Sequence, residues 1–180
     1  EKDGVKNYST NINYENFLSN NTKLFNTIYL RQTKAAYDNS STNQTGYEGD
    51  NKMAFLQIGL ANQVNKIKNN YVFYYNLYNR DYDERGVVDE YESEVLGIKY
   101  DFSKIINSKL SLGAGSEFKY DWGKFNNNGS YQASTKGHTE NLSFYGNLGL
   151  NIYRDTNISL FARNDNHKQT GNHLTFKFNF

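Results

Sequence analysis

Apolar and polar residues alternate along most of this chain with a period of two. In the segment 110–122, LSLGAGSEFKYDW, residues Leu110, Leu112, Ala114, Phe118, Tyr120 and Trp122 share one parity. Ser111, Gly113, Gly115, Glu117, Lys119 and Asp121 share the other. A helix would scatter these two sets around its circumference, whereas a strand sorts them onto opposite faces. The same design recurs in Leu142, Phe144, Leu148, Leu150 and Ile152, in Leu174, Phe176, Phe178 and Phe180, and in Ala54, Leu56, Ile58 and Leu60. The segment 71–78, YVFYYNLY, is aromatic at both parities, so periodicity alone does not phase it. The pattern predicts nine strands, near 7–18, 23–37, 52–64, 70–80, 90–102, 109–123, 140–153, 157–165 and 173–180. Several exceed the usual five or six residues of a soluble strand and match the roughly 9–11 residues of a tilted membrane strand.

The segments between these strands alternate in length. Short ones fall at 19–22, 65–69, 103–108 and 154–157, and long ones at 38–50, 80–89, 124–138 and 164–172. Outer-membrane barrels pair short periplasmic turns with long extracellular loops. The expected fold is therefore all-β, an antiparallel transmembrane barrel of about nine meandering strands. An odd count leaves two edges that lipid does not tolerate, so the segment 1–180 is expected to be part of a larger barrel. Phe17, Tyr37, Tyr71, Tyr82, Phe102, Trp122 and Tyr153 lie near strand ends, where membrane barrels carry aromatic girdles.

Composition supports this picture. Only 37% of residues are hydrophobic, yet 16% are aromatic, a combination that disordered chains lack. Proline is absent, which preserves every ladder N–H. Cysteine is absent too, which excludes disulfides, thiolate metal sites and a Cys nucleophile. The 20 basic and 19 acidic residues are intermixed, so no basic stripe marks a nucleic-acid partner. No apolar run reaches the length of a membrane helix. The opening EKDGVKNYST is not a signal peptide, and an exported protein is expected to have had one removed.

The segment FARNDNHKQTGNHLTFKFNF at 161–180 resembles a strand–loop–strand stretch in the barrels of TonB-dependent outer-membrane receptors, in particular the vitamin B12 (cobalamin) transporter group. Arg163, Asp165, His167, Gly171, Thr175 and Phe176 fall on that pattern, while Asn164 and Thr170 depart from it. The stretches NLSFYGNLGLNIYRDTNISLFAR and FLSNNTKLFNTIYLRQTKAAYDN are similar to barrel hairpins of the same family. The resemblance implies an outer-membrane location and uptake of a large, scarce ligand such as a corrinoid. It also implies a plug domain and the TonB energy-coupling system as partners, besides membrane lipid. The plug and the remaining strands are not in this segment.

Candidate chemistry lies in the long connections. Tyr47, Tyr82 and Tyr131 are of a type that stacks on a flat ligand, and Arg163, Asp165 and His167 supply polar contacts. Asp81, Asp83 and Glu84 offer the oxygen ligands that calcium prefers, although the spacing is not that of a twelve-residue calcium loop. His138, His167 and His173 sit at the ends of the long connections, but no nucleophile stands out beside them, so no catalytic residue is assigned. The alternatives are a complete small outer-membrane barrel, a barrel enzyme using the histidine-bearing rim, and a soluble β-sandwich adhesin.

Overall fold

The computed structural model describes residues 4–39, 44–129, 132–153 and 156–180, and for 37–39, 44, 45 and 153 the backbone alone. Among these residues the chain is one antiparallel sheet. Its strands are β1 (Gly4–Ser19), β2 (Thr22–Asn39), β3 (Gln44–Val64), β4 (Ile67–Glu84), β5 (Val87–Ile105), β6 (Leu110–Asn126), β7 (Ser134–Tyr153), β8 (Thr156–His167) and β9 (Gly171–Asn179). They pair strictly in sequence order, so every connection is a hairpin, and β1 and β9 are the two edges. All nine expected strands are present.

Register divides the sheet into two unlike faces. Leu24, Leu60, Tyr71, Tyr100, Ser116, Phe144, Asn164 and Leu174 lie on one continuous row of cross-strand partners. Paired residues point to the same side, so this row marks the apolar face across eight strands. It also phases β4: Tyr71, Phe73, Tyr75 and Leu77 join the apolar face, and Val72, Tyr74, Asn76 and Tyr78 the polar one. The polar face is the crowded one. Ser143 there is 0% exposed and Val72 8%, while Phe144 and Ile98 on the apolar face are each 56% exposed. A soluble protein would cover so large an apolar surface.

The apolar face is a band that slides across the ladder. The row through Leu30, Ala54 and Leu77 is apolar in β2–β4, then passes to Glu94 in β5 and His138 in β7. The row through Thr22, Asn62 and Asn69 is polar in β2–β4, then enters the band at Phe102, Ala114, Gly146, Ala162 and Phe176. Strands tilted against a flat slab of lipid produce this drift, because rows perpendicular to the strands cross the slab obliquely. Tyr71, Phe102 and Trp122 sit at the margins of the band. Phe17 and Tyr82 belong to the polar face and so are not girdle residues, and the side chains of Tyr37 and Tyr153 are outside the described ones.

The long connections are not the open loops that their polarity predicts. Ladder pairing continues through most of 38–50 and 80–89. β4 and β5 are joined by only Arg85 and Gly86, with φ of 57° and 93°, and Asp83 Oδ1 accepts the Gly86 N–H at 2.6 Å. Positive φ at both central residues defines a type I′ turn, whose twist suits a hairpin. Only 127–133, between β6 and β7, is a longer connection. Polarity misleads here because a strand wet on both faces loses its alternation while backbone pairing persists. The length asymmetry survives in another form. β3 runs on from Ala54 to Gln44, ~30 Å along the strand at about 3.3 Å per residue, but ends soon after Leu60 on the other side.

On the outward side of this overhang, Gln32 Nε2 donates to both oxygens of Asp50 at 2.9 Å, and the Lys34 and Lys52 ammonium groups stand 3.6 and 3.5 Å from it. Partial desolvation pushes the Asp50 carboxyl up. The Gln32 hydrogen bond and the two lysines push it down further, and the net result lies below the ordinary value. A depressed folded-state value means that this cluster stabilises the overhang at neutral pH and loses that contribution as acid protonates Asp50. Amide protection in the Gln32–Asp50 region, measured relative to the intrinsic exchange rate at each pH, should therefore fall on acidification below about 3.9 more in the native chain than in Asp50→Asn. In the band, Leu148→Arg should destabilise the full-length protein in bilayers by about 2–4 kcal/mol in urea titrations, with Asn147→Arg, on the opposite face, tolerated. Equal costs would contradict the assignment of faces.

Candidate functional site

Two groups of side chains on the polar face are candidates for function. The first is a network across β4–β8. Its rows are Val72, Lys99, Glu117, Ser143 and Asp165, and beside it Asn70, Asp101, Gly115, Tyr145 and Arg163. Arg163 is the hub. Its Nε donates to both Asp165 oxygens at 2.9 and 3.1 Å, and its Nη2 donates to Glu117 Oε2 at 3.1 Å and Ser143 Oγ at 2.9 Å. Ser143 in turn donates a short hydrogen bond to Asp165. A guanidinium satisfies this arrangement because its donors form a rigid fork, which a lysine lacks.

Glycines on the same face make these reaches possible. Tyr74 in β4 faces Gly97 in β5, and a Cβ at Gly97 would overlap the Tyr74 ring. The ring instead lies across β5, and its hydroxyl donates to Glu117 Oε1 on β6 at 2.9 Å. Tyr145 crosses Gly115 in the same way and bonds Asp101 on β5. Phe25 covers Gly59. Gly97, Gly115 and Gly59 are thus seats for aromatic rings rather than points of weakness, and such rings also shield the bared backbone. Lys99 and Arg163 lie over the Tyr145 ring at 5.8 and 5.5 Å from its centre. The side-chain oxygens of Asn70, Asn76 and Asn141 beside the network are buried and accept no hydrogen bond. Sequence reasoning placed Glu117 and Lys119 on the wet face but did not find the hub role of Arg163, because partners two strands away leave no signal in sequence spacing.

The second group lies on the overhang. Arg80, Tyr91 and Phe125 share one row, with Tyr78 and Tyr82 on either side of Arg80 along β4. With Asp89 they line a recess of about 430 Å³.

The expected site residues divide between these groups. Arg163 and Asp165 are brought together. His167 is close by on the same face, its ring 3.2 Å from Thr139 Oγ1. Tyr82 borders the recess, and Tyr47 is buried at 4% exposure on β3, paired with Glu84. Tyr131 lies outside the described residues. Tyr47, Tyr82, Arg163, Asp165 and His167 are all strand residues rather than loop residues, for the reason given above. The two groups do not meet: Asn70, the β4 residue on the row of Arg163, is about 40 Å along the strand from Tyr82 at roughly 3.3 Å per residue. Asp81 and Asp83 share the outward face, while Glu84 turns to the other. Asp81 stands 3.7 Å from Lys52, and Asp83 caps its own turn. Among the described residues, no three His, Asp or Glu side chains form a group that could hold a metal ion. His138 stacks on Tyr120 on the outward face, opposite His167 and His173, so the three histidines do not converge.

Comparison with solved structures finds the same fold. Over 99% of this chain, the siderophore receptor PirA from Acinetobacter baumannii superposes with a TM-score of 0.79 at 14% identity. The outer membrane transporter YddB from Escherichia coli gives 0.74 at 11% identity over 97% of the chain. The copper transporter OprC gives 0.71 at 11% identity over 98%. The chain shares the fold of a stretch of outer-membrane transport barrels. It spans 31%, 29% and 33% of those three chains. No protein-family model matches the sequence, and no curated protein does.

If Gly97 is a seat for the Tyr74 ring, Gly97→Ala should destabilise the full-length protein by about 1–3 kcal/mol through overpacking. In a Tyr74→Ala background the same substitution should cost less than half as much. Urea unfolding of the four proteins of this cycle measures the coupling, and additive effects would refute the seat.

Proposed function

We propose that this chain forms nine strands of a larger TonB-dependent receptor barrel in a bacterial outer membrane, and that the whole protein imports a large, scarce ligand. The observation that carries the reading is the sliding apolar band, which a tilted barrel wall in lipid requires and a soluble sandwich does not. Two others support it. The sheet is open at β1 and β9, an arrangement that lipid does not permit unless further strands continue it. The fold matches, along nearly its whole length, about a third of each of several outer-membrane transport proteins. The long overhang faces the cell exterior in this reading and the short turns face the periplasm, so β1 descends and β9 ends at the periplasmic side. The plug domain and the TonB system are the partners this reading entails, and the polar face with its charged network lines the lumen.

A corrinoid is the proposed ligand, supported by the resemblance of 161–180 to the cobalamin transporter group, with Arg163, Asp165 and His167 on the lumenal side. Similar structures include a siderophore receptor, a copper transporter and a peptide transporter, so the fold is compatible with several cargoes.

The full-length protein should fractionate with outer membranes and remain there after a urea wash. Recovery in the soluble periplasm would overturn the barrel reading. Deleting its gene should reduce uptake of radiolabelled cyanocobalamin, and disrupting TonB should reduce it equally. Unchanged corrinoid uptake in the deletion strain would remove the corrinoid while leaving the barrel intact.

A further inference from the structure

We propose that Asn128 is a site of spontaneous covalent modification: its side-chain amide converts to a mixture of isoaspartate and aspartate, and the docking of 127–129 onto β5 restrains the conversion. The reaction is independent of what the barrel carries.

The chemistry follows from one dipeptide. Asn128 is followed by Gly129, and no other asparagine in the chain is followed by glycine. A solvent base takes the Gly129 amide proton, and the nitrogen attacks the Asn128 side-chain carbonyl carbon, Cγ. An N–Cγ bond forms, the Cγ–Nδ2 bond breaks, and ammonia leaves behind a five-membered cyclic imide. Glycine permits the attack because it has no Cβ to hinder its nitrogen. Water then opens the ring at one of its two carbonyls. Opening at the side-chain carbonyl gives aspartate. Opening at the backbone carbonyl gives isoaspartate, whose main chain runs through the former side chain. Water is the only reagent consumed, and a neutral amide becomes a carboxylate.

The fold holds the reacting groups apart from this course. Pairing of β5 with β6 ends at Glu90 and Asn126. Beyond that point asparagine side chains take over from the ladder. Asn127 Nδ2 donates to Asp89 Oδ2 and the Asn128 backbone N–H to Asp89 Oδ1, both at 3.1 Å. Asn128 Nδ2, the leaving nitrogen, donates to the Val88 carbonyl at 2.6 Å. The proton that must be removed from Gly129 is held by Asn127 Oδ1 at 3.1 Å. Asn128 is exposed, so water and base reach it once these bonds open. The conversion therefore proceeds from a locally opened state, and two hydrogen bonds to a carboxylate oppose that opening. The product does not dock again in the same way. A carboxylate at 128 has no proton to donate to the Val88 carbonyl, and it stands beside Asp89 with the same charge. Modification thus undocks 127–129 from β5.

The test compares full-length protein in detergent with a synthetic peptide of residues 122–137, both kept at neutral pH and physiological temperature. Mass spectrometry follows the conversion, and isoaspartyl methyltransferase labelling scores isoaspartate. Conversion of the peptide, slower by about tenfold or more at Asn128 of the folded protein, is the expected result. Asp89→Ala should remove most of that protection, and Asp89→Asn, which keeps one acceptor, should retain part of it. Urea unfolding of each variant, alongside, establishes that the barrel is intact. Amide exchange at 127–129 should be faster in Asn128→Asp than in the native chain. A peptide that stays unmodified overturns the site. Equal rates in peptide and protein, or native protection in both folded Asp89 variants, overturn the restraint. Native exchange in Asn128→Asp overturns the undocking.

Discussion

The pairing of backbone N–H and C=O groups across the ladder is the constraint on which the rest of this structure depends. In lipid an unpaired group costs several kcal/mol, so the strands must be long, continuous and free of proline. The register satisfies that demand from β1 to β9. It also carries consequences for side chains. With the strands locked into register, the apolar residues drift by rows across the ladder, as a tilted barrel wall would require. The ladder continues beyond the band, where it builds the overhang.

Exposure then distinguishes the two sides. The apolar side is open, and its large side chains are exposed. The polar side is crowded, and side chains there must lie flat across neighbouring strands. Glycines opposite aromatic residues make that possible at Gly59, Gly97 and Gly115. The tyrosines laid over Gly97 and Gly115 reach acidic partners, and Arg163 ties those strands to β8. The network thereby clamps five strands through side chains in addition to their backbone pairing. Isolated ion pairs of this kind contribute little when exposed, but one guanidinium serving two carboxylates and a buried hydroxyl is a cooperative arrangement.

The network and the recess around Arg80 illustrate opposite uses of arginine. Arg163 has its donors occupied within the wall, so its charge is neutralised and its role is to hold. Arg80 is exposed and shares its recess with Asp89, Tyr78, Tyr82, Tyr91 and Phe125.

Much of this was legible in the sequence. Alternation of polar and large apolar residues in 110–122 and 142–152 determined the strands and which of their faces is apolar, because a period of two is a local property of the chain. The absence of proline and cysteine agreed with it. Alternation did not phase 71–78, where aromatics occupy both faces: Phe73 lies on the apolar face, and Tyr74 covers Gly97 on the other. Nor did it recognise 44–50 and 80–84 as strand, since a wet strand lacks a hydrophobic signature. Tertiary structure alone decided these points. It also decided that Arg163 meets Glu117, that His138 turns away from His167, and that Arg80 shares a recess with Tyr91 and Phe125. Each depends on which residues of different strands stand opposite one another, and register is set by pairing across the whole sheet rather than by neighbours along the chain.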